Sequence, residues 1–177
     1  MRDVSSRIVA VSAAFIGVAA LAVSAYQAYI SREQQRASVW PRIEILMSNS
    51  PTTFRLTLRN AGIGPALIET AEVRVDGRAQ PTWTEVLTAL GVPTEHSKGK
   101  LSDRVLSPET EQDVFSPSAE AAAAKLFREG GRVDVWVCYC SVYHECYSAR
   151  RTLEAGARMR HEEVDDCVLA EGRAFRH

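Results

Sequence analysis

Lysine is scarce in this chain. Only Lys98, Lys100 and Lys125 occur among 21 basic residues in 177, and the rest are arginine. With 22 acidic residues the formal net charge is -1. No global positive field therefore draws in nucleic acid, and no strong acidity marks the chain as disordered. The short signatures of common enzymes are missing: there is no G-x-S-x-G, no phosphate-binding G-x-x-x-x-G-K-[ST] and no dinucleotide-binding glycine fingerprint. No C-x-x-C occurs, which removes the usual dithiol redox motif. The first cysteine is Cys138, so the N-terminus has no cysteine for lipid attachment. Internal repeats and low-complexity tracts are absent as well. These absences lead to the expectation of a non-enzymatic protein that carries no cofactor.

What is present begins with one apolar run, Ile8 to Ile30, uncharged and bracketed by Arg7 and Arg32. At about 1.5 Å per helical residue, a run of this length crosses a hydrocarbon core roughly 30 Å thick. Tyr26 and Tyr29 fall near its end, where aromatic rings favour the membrane interface. A cleaved signal peptide is the competing reading, with Arg2 and Arg7 as its charged head and Val23-Ser24-Ala25 as the cleavage site. The apolar stretch continues past that site, which favours an anchor. A buried helix of a soluble protein would show a polar face, and this run has none. Arg2 and Arg7 before the run, against Arg32, Arg36 and Arg42 after it, do not orient it by charge.

The organisation that follows is a tail (1–7), a transmembrane helix (8–30), a stalk (31–41) and a β-rich soluble domain (42–177). The stalk extends the helix until Trp40-Pro41, where proline disfavours further helix, and Trp40 is placed at the membrane interface with Tyr26 and Tyr29. From Arg42 the period changes to two: Phe54, Leu56 and Leu58 share one face, and Arg55, Thr57 and Arg59 share the other. Asn60 to Ala66 reads as a turn, Leu67 to Val75 as a strand and Asp76-Gly77 as a second turn. Thr82 and Glu85 have capping-box spacing before a helix from Trp83 to Leu90. Arg104 to Phe115 reads as two strands about Pro108. A second helix is expected with Ser116 as cap, Pro117 in its first turn, Gly130 at its end and Ala119, Ala123, Leu126 and Phe127 on its apolar side. Val133 to Cys140 is apolar on both faces and belongs in the middle of a sheet, and Cys146 to Leu153 returns beside it. His161 to Leu169 is expected as a short helix with Val164, Cys167 and Val168 inward. Together these elements give a mainly β fold, an immunoglobulin-like β-sandwich with two inserted short helices behind one N-terminal span, with α+β as the alternative.

The single span, the polar stalk, the entry Ser-Val-Trp-Pro-Arg (Ser38 to Arg42), the N-x-G-x-G-P-A turn (Asn60 to Ala66) and the hairpin Y-C-S-x-Y-x-x-C (Tyr139 to Cys146) resemble uncharacterised bacterial single-span membrane-anchored proteins with a β-sandwich-like soluble domain. The resemblance covers most of the chain. Its motifs are structural turns, and no activity comes with it.

The concentrated chemistry lies in Cys138, Cys140, Cys146 and Cys167. Four cysteines in a small exported domain are expected to pair. Cys140 and Cys146 flank a hairpin turn and form the leading pair, with Cys138 and Cys167 as alternative partners. A soft metal set of Cys138, Cys140, His144 and Cys146 is the alternative use of the same hairpin, although C-x-C-x5-C is not a familiar zinc spacing. His161, Glu162 and Asp165 would offer ligands one helical turn apart if their segment were helical. Arg150, Arg151, Arg158 and Arg160 read as a surface salt-bridged with Glu154, Glu162 and Glu163. The functional expectation is a membrane-anchored interaction or accessory domain of the bacterial envelope. It sits in the inner membrane through residues 8–30 with the soluble domain in the periplasm, facing an unidentified membrane or envelope protein. The alternative is a small metal- or redox-active envelope protein using the Cys138/Cys140/Cys146 hairpin.

Overall fold

The computed structural model describes residues 2–97, 99–170 and 172–176, and it divides into two units, 1–38 and 39–177. The first is a single helix, α1 (Arg2–Ala37). Within it, Val9–Arg36 has a mean hydropathy of 2.1 over its most apolar window and none of that window is buried, so the helix is long and apolar enough to cross a membrane. The side chains of Arg2 and Arg7, two of the flanking charges, lie outside the described residues. The helix runs past Ile30 as far as Ala37, as the polar, helix-compatible stalk sequence predicts.

The second unit is built on two antiparallel sheets. One holds β1 (Ile43–Asn49), β2 (Phe54–Asn60) and β6 (Glu111–Phe115) in the order β1-β2-β6. The other runs β4-β3-β7-β8-β9, from β4 (Arg78–Gln80) through β3 (Ala66–Val75), β7 (Val133–Cys140) and β8 (Cys146–Thr152) to β9 (Arg160–Val164). The short β5 (Arg104–Leu106) pairs with the first residues of β3. β7 is central, and its two apolar faces require that position.

Alternation decides which side chains go inward. Ile43, Ile45, Phe54, Leu56 and Leu58 from the first sheet share one buried cluster with Ala71, Val73, Val133, Val135, Val137 and Tyr139 from the second. Helix α2 (Trp83–Leu90) adds Trp83, Val86, Leu87 and Leu90 to that cluster. Thr82 caps its start, as the spacing predicts: the Thr82 hydroxyl accepts from the Glu85 N–H at 3.3 Å and donates to the Glu85 carboxylate at 2.6 Å. Trp83 stacks on Phe115 with centroids 4.1 Å apart.

β1 lies at an edge, and side chains from β8, from β9 and from the residue before β9 occupy its outward backbone groups. His161 Nε2 donates to the Ile43 carbonyl at 2.8 Å, Arg151 donates to the Ile45 carbonyl at 2.8 Å, and the Ile45 N–H points at Met159 Sδ at 3.2 Å.

Three local expectations are corrected. Helix α3 (Glu120–Glu129) starts later than Ser116 and Pro117 would have it. Ser116 is used elsewhere: its hydroxyl donates to the Phe54 carbonyl at 3.0 Å and its N–H donates to the Ser97 hydroxyl at 2.9 Å, while Pro117 bridges His96. The helix buries Ala122, Ala123 and Leu126, and Phe127 is exposed instead of inward. The segment after Arg160 is strand β9 and not a helix, because pairing there satisfies the outer backbone edge of β8. Cys167 is buried, but Val168 is exposed. In extended chain, residues four apart are separated by roughly 13 Å, so His161, Glu162 and Asp165 do not share the helical turn their spacing suggested. Arg150 also departs from expectation, since its partner is Asp134 on the neighbouring strand.

Candidate functional site

The four cysteines come together on one face of the larger sheet. Alternation on β7 sends Trp136, Cys138 and Cys140 to the side opposite Val135, Val137 and Tyr139. The register sets Cys140 directly across from Cys146, with Cα atoms 4.0 Å apart, and the two are bonded. Cys138 is bonded to Cys167, which the chain brings back over the sheet after β9, with Cα atoms 5.5 Å apart. The Thr70 hydroxyl holds that returning segment by donating to the Cys167 carbonyl at 2.8 Å. The four side chains form a small buried cluster with Trp136 and Val164 packed against it.

Cys140 Sγ is 3.7 Å from Cys167 Sγ, so the two bridges touch. The sulfurs of Cys140, Cys146 and Cys167 lie within 4.8 Å of one another. His144 is not in that group. It sits in the hairpin loop with a φ of 60°, and its N–H donates to the Ser141 carbonyl at 3.0 Å. Ser141 knits the loop together: its hydroxyl accepts from the N–H groups of Tyr143 at 3.1 Å and Glu145 at 3.3 Å. A sulfur held in a disulfide has no thiolate to offer a metal, so a tetrahedral ion site here requires reduction first.

A second constellation sits at the end of the domain where the chain enters it. Asn60 is fully buried and uses all of its side-chain hydrogen-bonding capacity. Its Oδ1 accepts from Arg42 N–H at 3.2 Å and Gly62 N–H at 3.0 Å, and its Nδ2 donates to the carbonyls of Gly64 at 2.8 Å and Leu106 at 3.0 Å. The Trp40 carbonyl accepts from Ile63 at 3.1 Å and Gly64 at 3.3 Å. The two turn glycines are forced by this approach: a Cβ on Gly62 would lie 2.5 Å from the Trp40 carbonyl oxygen, and one on Gly64 would overlap the Val39 carbonyl oxygen. The Ser-Val-Trp-Pro-Arg entry and the N-x-G-x-G-P-A turn are thus two halves of one joint. The Trp40 ring meets Tyr147 edge-on at 6.3 Å, and the Arg42 guanidinium lies 5.7 Å from the Trp40 ring centroid.

On the outer face of β3, β7 and β8 a cleft of about 230 Å³ is lined by Glu72, Arg74, Asp134, Trp136, Arg150, Leu169 and Arg173. Its charges are committed to one another. Glu72 takes Arg74 and Arg173, and Asp134 takes Arg150. Burial opposes ionisation of Glu72, but hydrogen bonds from Arg173 and Arg74 outweigh it and hold the carboxyl below the usual glutamate range. Sequence reasoning missed this clamp, because Arg173 lies in the C-terminal segment and carries no periodic signal. Of the tryptophans, Trp83 is core, Trp136 packs on the cysteine cluster and Trp40 is exposed. Tyr26 and Tyr29 lie on the exposed surface of α1. The chain matches no protein-family model, and comparison with curated proteins finds no relative.

Proposed function

We propose that this chain is a membrane-anchored interaction or accessory domain of the bacterial envelope, without enzymatic activity of its own. It is held in the inner membrane by residues 8–30, with Tyr26, Tyr29 and Trp40 at the interface, and its β-rich domain stands in the periplasm as an immunoglobulin-like sandwich. The observation that carries the reading is the pairing of one helix long enough to cross a membrane with a domain in which all four cysteines are bridged. Disulfides persist on the oxidising side of a membrane. The two sheets sharing one apolar cluster support the sandwich, and such domains present loops and edge strands to partner proteins.

The test combines extraction and topology. The protein should remain in the membrane fraction after alkaline carbonate. A Thr52→Cys variant, altered at an exposed loop, should react in intact cells with a maleimide that cannot cross the inner membrane. Release by carbonate, or labelling only after lysis, would overturn the reading.

A metal- or redox-active role for the cysteine cluster is the second reading. It is favoured by the 3.7 Å contact between Cys140 and Cys167. Mass spectrometry of unreduced protein separates the two: intact bridges support the accessory domain, and free thiols with bound zinc support the metal site.

A further inference from the structure

Both ends of the two-sheet unit carry loops, and they differ in chemistry. One end has Ser50-Pro51-Thr52-Thr53, Asp76-Gly77 and the stretch from Glu154 to Arg158, all polar or small. The other end gathers the entry segment at Trp40, the 61–65 turn and the 141–145 hairpin loop. The register shows that these belong together: β2 ends at Asn60, β3 begins at Ala66, and Leu67 pairs with Cys140 at the mouth of the hairpin. The large apolar and aromatic side chains exposed there are Trp40 (42%), Ile63 (62%), Val142 (46%) and Tyr143 (44%), with His144 exposed and Glu145 half-buried beside them. Contributed by three separate segments, they make this end the more apolar of the two. They are also held stiffly, by Asn60 under the turn, Ser141 inside the loop and the Cys140–Cys146 bridge at its base.

The chain itself names the occupant of this end. Trp40 follows the apolar run by only ten residues. Helix continued from Ile30 to Ala37 rises about 10 Å if upright and less if tilted. The headgroup layer is itself about 5–8 Å deep on each side. Tryptophan and tyrosine are the side chains that settle in that layer, and the Arg42 guanidinium beside Trp40 suits lipid phosphates. We infer that the loop end bearing Trp40, Ile63, Val142 and Tyr143 rests on the bilayer surface, so the domain is docked on the membrane and not merely tethered to it. The inference rests on the anchored reading above and specifies its lipid contact.

The test uses the full chain reconstituted in vesicles of phosphatidylcholine and phosphatidylglycerol, with or without bromine on the acyl chains. Bromine should quench the tryptophan emission of the native chain. That quenching should be lost in Trp40→Phe, which keeps Trp83 and Trp136, and reduced in the combined Ile63→Ser, Val142→Ser, Tyr143→Ser variant, whose changes are all at exposed positions. Circular dichroism melting shows that each variant is folded. Equal quenching of native chain and Trp40→Phe, with both resistant to carbonate, would overturn the docking and leave the anchor standing. Emission of Trp40 that shifts with protein concentration and ignores bromine would assign this end to a second copy and overturn it too. Release by carbonate would remove the anchor and the docking together.

Discussion

Glu72 and Arg173 stand 101 residues apart in sequence and meet at two points, Nε to Oε1 and an Nη nitrogen to Oε2, each at 2.8 Å. Glu72 is nearly buried on β3, and Arg173 brings the C-terminal segment down onto it. The neighbouring Phe175 enters the core against Trp83, its N–H donating to the Ala71 carbonyl at 2.8 Å. A terminal segment is thereby fastened to the central sheet by one charge pair and one aromatic ring.

A pH dependence follows from that pair. Because the folded Glu72 carboxyl is held below its ordinary value, its contribution is complete above the unfolded glutamate range near 4.3 and is lost as pH falls through the lower folded value. The urea midpoint should fall between pH 5 and pH 2.5, and Glu72→Gln should remove part of that slope. Arg173→Ala leaves the buried carboxylate with Arg74 alone and should lower the urea midpoint at pH 7.

Asn60→Ala strands four backbone groups inside the joint at once. A loss of about 3 kcal/mol or more is expected, measured by denaturant unfolding in micelles. Asn60→Asp should be nearly as harmful, since it replaces a donor to two carbonyls by a second acceptor.

Gly64→Ala should also destabilise, by about 2–4 kcal/mol, because the Val39 backbone must move to admit a Cβ. Gly77 at the Asp76-Gly77 turn meets no neighbouring atom, so its substitution costs only what its positive φ demands. Comparing melting temperatures of the two alanine variants separates close approach from backbone preference.

The two disulfides should differ in weight. In the chain-entropy model a bridge spanning 29 residues contributes about 3.5 kcal/mol and one spanning 6 about 2 kcal/mol. Cys138→Ala with Cys167→Ala should therefore lower the unfolding midpoint more than Cys140→Ala with Cys146→Ala. Reversal of that order would show that the hairpin, and not the long closure, dominates.

What the sequence made legible was local. Thr82 and Glu85 announce helix α2 because the cap and its partner lie within four residues. The apolar β7 announces a central strand because both of its faces are visible in one run. What stayed hidden depended on distant partners. Ser116 has every mark of a helix cap until Phe54 and Ser97 claim it. His161-Glu162 suits a helix until the open edge of β8 takes it as a strand. Spacing alone left three connectivities open for four cysteines, and the register of Cys140 on Cys146 removes two of them. The loop end with Trp40 was readable only in part, because Ile63 and Tyr143 join it through the fold.

The stoppered edge at β1 has a consequence for a chain anchored in a membrane, as proposed above. Copies confined to a membrane meet far more often than copies free in solution, and a bare strand edge would zip neighbours into ribbons. His161, Arg151 and Met159 occupy the outward groups of Ile43 and Ile45, and β9, an edge of the larger sheet, is a row of Arg160, His161, Glu162 and Glu163. Two copies meeting along β1 find no bare template to extend.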